Sequence, residues 1–133
     1  AVRAYLLQPG HSLRGPTIEL ELPPNGLPML SAAVEVAAYR IIMEGIANVV
    51  RHASASTCRV RLSIEMKGKP ALQVEIIDDG KGLPEKLQAG VGLMSMRERA
   101  VELGGNWTTE DAAGGGTHIR AVLPLGEREM TRK

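Results

Sequence analysis

The stretch Arg40–Ala53, Arg-Ile-Ile-Met-Glu-Gly-Ile-Ala-Asn-Val-Val-Arg-His-Ala, constrains the fold more than any other part of the chain. It holds no proline and one glycine, so its spacing predicts a helix. At about 100° per residue, Glu44, Asn48, Arg51 and His52 fall within an arc of roughly 100°. Ile42, Ile46, Val49 and Ala53 lie opposite, Met43 and Val50 widen that apolar side, and Gly45 and Ala47 flank the polar stripe. A helix this apolar is buried round most of its circumference, which leaves the polar stripe for bulk water or for a cleft. A solvated stripe takes Lys, Glu and Gln in any order. Here carboxylate, amide, guanidinium and imidazole follow one another, which suits a metal-bound polyphosphate: oxygen ligands for a hard cation, then cationic donors for its phosphates. Taken by itself, the helix fits both destinations.

The 133 residues are expected to form a single domain (1–133), long enough to bury roughly 65–70% of the unfolded surface. Aromatic content is 2% with no Phe, so the core must be built from Val, Ile, Leu, Met and Ala. Sixteen basic residues nearly cancel 15 acidic ones, and no basic patch with interleaved aromatics is present, which argues against a nucleic-acid partner. The single Cys58 excludes an internal disulfide and is compatible with a reducing cytosol. No apolar run reaches membrane-spanning length and no signal peptide is visible, so direct membrane contact is not expected. The chain begins at Ala1 rather than Met, the expected mark of a piece of a longer protein.

In chain order, residues 1–16 read as a leader with turns at Pro9-Gly10 and Gly15-Pro16. Thr17–Leu22 alternates Ile18, Leu20 and Leu22 against polar residues, the pattern of a half-buried strand. Pro23-Pro24-Asn25-Gly26 ends it, Ser31 can cap a helix, and Ala32–Ala53 is helical with room for an interruption. Thr57–Met66 and Ala71–Ile77 are strands about a Lys67-Gly68-Lys69-Pro70 turn. Gly90-Val91-Gly92 opens a helix that runs to about Leu103 and ends at Gly104-Gly105. Trp107–Glu110 and Thr117–Leu123 are the last strands, and the tail 126–133 is charged and expected to be poorly ordered, like the leader. About five strands and two long helices, without strict βαβ alternation, imply an α+β fold: a two-layer sandwich with helices on one face of a mixed, mainly antiparallel sheet.

Three further stretches bear on a cleft. Asp78-Asp79-Gly80-Lys81-Gly82 sets a carboxylate at the end of a buried strand, where it can accept from an exocyclic amine such as that of adenine; it also fits an ordinary turn. Gly90-Val91-Gly92-Leu93 lies at a helix N-terminus, where free N–H groups favour anions, yet it is neither a Walker loop nor a dinucleotide fingerprint. Gly114-Gly115-Gly116-Thr117 lets the last strand start beside another backbone or a ligand, and equally fits a flexible hairpin. Singly, none of the three identifies a ligand.

Together and in order they do more. Glu44-x-x-x-Asn48, Asp78-x-Gly80-x-Gly82, Gly90-x-Gly92-Leu93 and Gly114-x-Gly116-Thr117 resemble the N, G1, G2 and G3 boxes of the GHKL superfamily. That superfamily includes DNA gyrase, a heat-shock chaperone, MutL-type repair proteins and sensor histidine kinases. Tyr39-Arg40-Ile41, Asn48-Val49-Val50-Arg51-His52-Ala53 and Gly92-Leu93-Met94-Ser95-Met96-Arg97-Glu98-Arg99 are similar to the nitrate-sensor and DesK-like class of histidine kinases. The resemblance runs from about Thr17 to Leu125.

It implies the Bergerat sandwich and the catalytic, ATP-binding domain of a bacterial two-component sensor kinase, cytoplasmic even where its parent is membrane-anchored. By the same resemblance, Asn48 ligates Mg²⁺ and Glu44 acts on a metal-bound water, both as catalytic residues. Arg51 and His52 contact phosphates. Asp78 binds the adenine amino group, with Gly80, Gly82, Gly116 and Thr117 about the base. Gly90, Val91, Gly92 and Leu93 form the lid hinge and offer N–H groups to phosphates. Implied partners are a dimerisation and phosphoacceptor domain, absent from this chain, and a response regulator downstream; the piece alone is expected to be monomeric and unable to autophosphorylate. An anti-sigma-factor-type serine kinase and an ATP-gated dimerising or binding module without phosphotransfer are the alternatives. Two departures stand out: a short lid without an aromatic, usual in this class, and Gly45 where relatives commonly carry Ala, at a cost of about 1 kcal/mol in helix propensity.

Overall fold

The computed structural model describes residues 16–53, 55–80, 91–112 and 115–125. Residues 1–15 and 126–133, read as leader and tail, lie outside the described residues, as does the lid segment 81–90. Strands β1 (Thr17–Glu21), β2 (Thr57–Glu65), β3 (Ala71–Asp78), β4 (Asn106–Asp111) and β5 (Thr117–Pro124) form one sheet in the order β1-β2-β3-β5-β4. β1 runs parallel to β2, and the other neighbours are antiparallel. The parallel pair is joined across the sheet by helix α1 (Ala32–Asn48), so the chain holds one βαβ unit ahead of its hairpins. Helix α2 (Val91–Glu102) packs beside α1 on the same face. This is the mixed sheet with helices on one side that the pattern of elements implied.

Each element follows from its residues. Ser31 caps α1, its Oγ accepting from the Val34 N–H at 3.2 Å, which satisfies a donor the helix itself cannot. Cys58, Val60 and Leu62 of β2, Leu72, Val74 and Ile76 of β3, and Ile119, Ala121 and Leu123 of β5 recur every second residue and are all buried. Ile41, Ile42 and Ile46 of α1 and Met96 and Ala100 of α2 close the core over them. The opposite face of the sheet is charged. Glu21, Arg61, Glu75 and Arg120 lie abreast on four neighbouring strands, alternating in sign. Glu75, only 4% exposed, is met by His118 Nε2 at 2.7 Å, Arg61 at 3.5 Å and Arg120 at 3.7 Å.

The helix Arg40–Ala53 departs from its sequence reading in two ways. After Asn48 the α-helix gives way to one π-helical turn, Val49–Ala53, which is the interruption the sequence left unplaced. The buried arc is also rotated. Val50, expected on the apolar side, is half exposed, and Met43 is only partly buried, while Ile41 is fully buried. Gly45, expected beside the polar stripe, is buried and faces the sheet. A Cβ there would run into Ile76 Cδ1 of β3. The helix sits against the sheet at the height its glycine allows, and that contact accounts for a residue that helix propensity alone disfavours.

Gly45→Ala sets alanine's gain in helix propensity, about 1 kcal/mol, against displacement of the Ile76 side-chain tip, and is expected to leave stability within about 1 kcal/mol of wild type. Ile76→Val removes the Cδ1 that the new methyl meets, so denaturant unfolding of the four-member cycle should show the double variant more stable than the sum of the singles.

Candidate functional site

The topology gathers the candidate residues at one end of the sheet. α1 returns antiparallel to β1, so its C-terminal end lies where β2 begins, where β3 ends and where β5 begins. Asp78 continues the buried row Leu72, Val74, Ile76, and Thr117 opens the row Ile119, Ala121, Leu123; both therefore face the helices. Asp78 and Thr117 are 4% and 6% exposed, and Asn48, at the last α-helical position, is 8% exposed. Three polar side chains are thus buried together where an apolar core would otherwise end.

Main-chain donors hold Asp78. The Gly80 N–H donates to Oδ1 at 2.8 Å and the Thr117 backbone N–H donates to the same carboxylate. Burial is the largest influence and pushes the carboxyl above its ordinary range, the two N–H groups partly offset it, and the neighbouring Asp79 charge adds to the rise. Gly116, with φ +91°, makes the approach possible, since a Cβ there would meet the carbonyl oxygen and Oδ1 of Asp78. Across the ladder, Cys58 pairs with Asp78 and is wholly buried. Its thiol is pushed up to about 12, first by burial and then by the charges of Asp78 and Asp79, so it stays neutral beside the carboxylate.

Asp79 does different work. Its Oδ1 accepts from the Ser56 and Thr57 N–H groups at 2.8 and 2.9 Å, tying the end of β3 to the start of β2. The Thr57 bond is the first cause of its lowered pKa. Sequence reading picked Asp78 from the pair by its place at the strand end; nothing in the sequence marked Asp79 as the clamp.

On α1, Glu44 and Asn48 lie one turn apart, and the guanidinium of Arg51 draws both oxygens toward one place: Nη2 is 3.4 Å from Asn48 Oδ1 and 4.0 Å from Glu44 Oε1. Two hard oxygens converging on a cation fit Mg²⁺, which keeps most of its coordination for water and phosphate oxygens. Among the described residues no group of three or more His, Cys, Asp or Glu offers a metal site independent of such a ligand. Asn48 Nδ2 and Thr117 Oγ1 are buried with no hydrogen-bond partner among the described residues. Such groups cost about 1–3 kcal/mol each when left unpaired.

Glu44 also lines the mouth of a cleft of about 530 Å³ between α1 and α2, together with Arg40, Met43, Ser95 and Arg99. Arg40 and Arg99, from the two helices, therefore line the same cleft as Glu44. Val91, Gly92 and Leu93 form the first turn of α2, whose N–H groups no intrahelical carbonyl can satisfy. His52 lies in the π-helical turn. Gly82 and Gly90 lie outside the described residues.

The family can now be read. Residues 33–127 match the model of the HATPase_c family, described as histidine kinase-, DNA gyrase B- and HSP90-like ATPase. This chain is a member of that ATPase family. It is 36% identical over 102 residues to the sensor histidine kinase LiaS of Bacillus subtilis, covering 75% of this chain and 28% of that protein. To the sensor protein VraS of Staphylococcus aureus (strain COL) it is 34% identical over 94 residues, 68% of this chain and 26% of VraS. The chain thus spans little more than a quarter of these relatives. Among solved structures it resembles the ATP-binding domain of PrrB from Mycobacterium tuberculosis, with TM-score 0.59 and 25% identity, over 84% of this chain and 83% of that one. The histidine kinase domain from the blue-light activated kinase of Erythrobacter litoralis EL346 shares the fold, with TM-score 0.63 and 20% identity, over 85% of this chain and 54% of that one. Among the described residues no helix of this HATPase_c member is long and apolar enough to cross a membrane.

The two aspartates give a signed pH dependence. Asp78 binds its proton more readily folded than unfolded, so its contribution to stability rises as pH falls toward and through its raised pKa. Asp79 has the opposite sign: its contribution is present above the ordinary carboxylate pKa and is lost as pH falls through its lowered one. Asp78→Asn is therefore expected to be at least as stable as wild type at neutral pH. Calorimetric melting against pH should show the wild type gaining on the variant as the solution is acidified.

Proposed function

We propose that this chain is the catalytic, ATP-binding domain of a bacterial two-component sensor histidine kinase of the nitrate-sensor and DesK-like class. It binds Mg·ATP and donates the γ-phosphate to a histidine on a separate dimerisation domain. The observation that carries the reading is the burial, at one end of the sheet, of Asn48, Asp78 and Thr117 beside Gly116, with Asn48 Nδ2 and Thr117 Oγ1 lacking partners among the described residues. Kinship with LiaS and VraS, named as a sensor histidine kinase and a sensor protein, supports the kinase rather than the clamp or serine-kinase alternatives.

In this reading Asp78 accepts a hydrogen bond from the adenine amino group, and Gly80, Gly82, Gly116 and Thr117 enclose the base. Asn48 Oδ1 and Glu44 hold the metal side, Glu44 through a water. Arg51, His52 and the N–H groups of Gly90, Val91, Gly92 and Leu93 hold the phosphates. Bound Mg²⁺ would neutralise charge on the transferring phosphoryl group. The acceptor must come from elsewhere. His118 is engaged by Glu75 at 2.7 Å on the charged face of the sheet, and His52 lies within the phosphate-binding turn. Phosphoryl transfer then makes a bond to an imidazole nitrogen of the partner domain and leaves ADP here. A cytoplasmic setting and a response regulator downstream complete the proposal.

Incubated with labelled ATP and Mg²⁺, the chain should bind nucleotide and acquire no phosphohistidine, and adding its helical dimerisation domain in trans should place label on that domain. Stable phosphohistidine on this chain alone, or failure to bind ATP, would overturn the proposal. Asp78→Asn should weaken ATP by roughly tenfold or more, from the ~1.5–3 kcal/mol of a charged hydrogen bond. GTP should bind poorly to the wild type, because guanine turns a carbonyl oxygen toward the carboxylate.

A further inference from the structure

An asparagine amide has two nearly isosteric ends, and half a turn about its last bond exchanges acceptor for donor. Only one orientation can serve a cation. At Asn48 the neighbour that distinguishes the two ends is Arg51. Its guanidinium carries donors and no acceptor, so the amide end it touches, at 3.4 Å, must be Oδ1. Nδ2 is thereby turned into the core side, where it is buried without a partner among the described residues. An unpaired buried donor does not hold an amide in place; the pull comes from Arg51. The same Nη2 lies 4.0 Å from Glu44 Oε1, so one cationic group gathers both oxygens. The π-helical turn that follows Asn48 is the segment that carries Arg51.

We infer that Arg51 is a positioning residue: it fixes the Asn48 amide with its oxygen toward the cation seat and gathers Glu44 to the same place. This rests on the proposal that Asn48 ligates Mg²⁺, and it adds to the phosphate contact proposed for Arg51. An amide oxygen has two lone pairs, so Oδ1 can accept from Arg51 on one and face a cation with the other. The negative charge of a polyphosphate lets the guanidinium and the metal ion stand near each other.

The test separates orientation from phosphate contact. Arg51 is largely exposed, so Arg51→Met and Arg51→Lys should fold. The affinity of a fluorescent ATP analogue is measured in EDTA and then across a Mn²⁺ titration. The titration is made for wild type, both Arg51 variants, Asn48→Asp and the Asn48→Asp/Arg51→Met double variant. Arg51→Met should weaken Mn²⁺ by roughly 10–100-fold, and Arg51→Lys, also a pure donor, should recover part of that loss. With Asn48→Asp, whose carboxylate presents oxygen either way round, Arg51→Met should cost no further Mn²⁺ affinity. The side-chain ¹⁵N resonance assigned to Asn48 by its absence from the Asn48→Asp spectrum should shift in Arg51→Met toward the averaged position of a freely rotating amide, and its order parameter should fall. Equal Mn²⁺ losses in both backgrounds, or a loss confined to the EDTA measurement, would overturn the inference while leaving the kinase proposal standing. A wild type that binds the analogue with no Mn²⁺ dependence would overturn the metal assignment itself, and this inference with it.

Discussion

The contact between Gly45 and Ile76 sets the register of everything around it. With no side chain at position 45, α1 settles onto β3 where an added Cβ would have to displace the tip of the Ile76 side chain. Asn48 follows Gly45 by three residues along the helix, and Asp78 follows Ile76 by two along the strand, on the same face. The position of the amide relative to the carboxylate is therefore fixed by an apolar contact one step away from both. Helix propensity is given up at that position, and a defined spacing between two polar groups is obtained. Neither residue carries chemistry, yet the site's geometry hangs on them.

Two buried carboxylates of β3 show how one strand serves two purposes. Glu75 points to the charged face and is surrounded by His118, Arg61 and Arg120, so its oxygens are engaged by side chains. Asp78, three residues later and on the other face, is held by the N–H groups of Gly80 and Thr117. Main-chain donors fix a carboxylate without neutralising it. Asp78 is thus held by the main chain alone, at the cost of a desolvation that raises its pKa. Cys58, neutral beside it, adds no competing charge. The strand thus holds one carboxylate with side chains and the other with main-chain donors.

Much of this was legible in the residues. Alternation marked the strands to within a residue or two, and Ser31 and Gly104-Gly105 marked helix ends. Glu44, Asn48, Asp78 and Thr117 were picked out because polar groups recur there in an ordered set of boxes, and the chain's family is shown by the match of residues 33–127 to HATPase_c. Less legible was the orientation of α1. Hydrophobicity alone placed Met43 and Val50 inside; the structure leaves Val50 half exposed and Met43 partly buried, and it buries Ile41 and Gly45. A glycine contributes almost nothing to a hydrophobic pattern, so a face built around one is invisible to it. The role of Asp79 was hidden for a related reason, since it depends on which partners the fold brings within hydrogen-bonding distance.

By itself the sequence determined the elements, the apolar rows and the kinds of polar group available, because periodicity and turn chemistry act over a few residues. Which polar groups meet was decided only by the tertiary structure. Inserting β5 between β3 and β4 sets Thr117 beside Asp78, residues 39 apart in the chain, and the βαβ crossover brings Asn48 to the same edge. Those meetings are set by the packing of helix on sheet and by strand order, which no local pattern encodes.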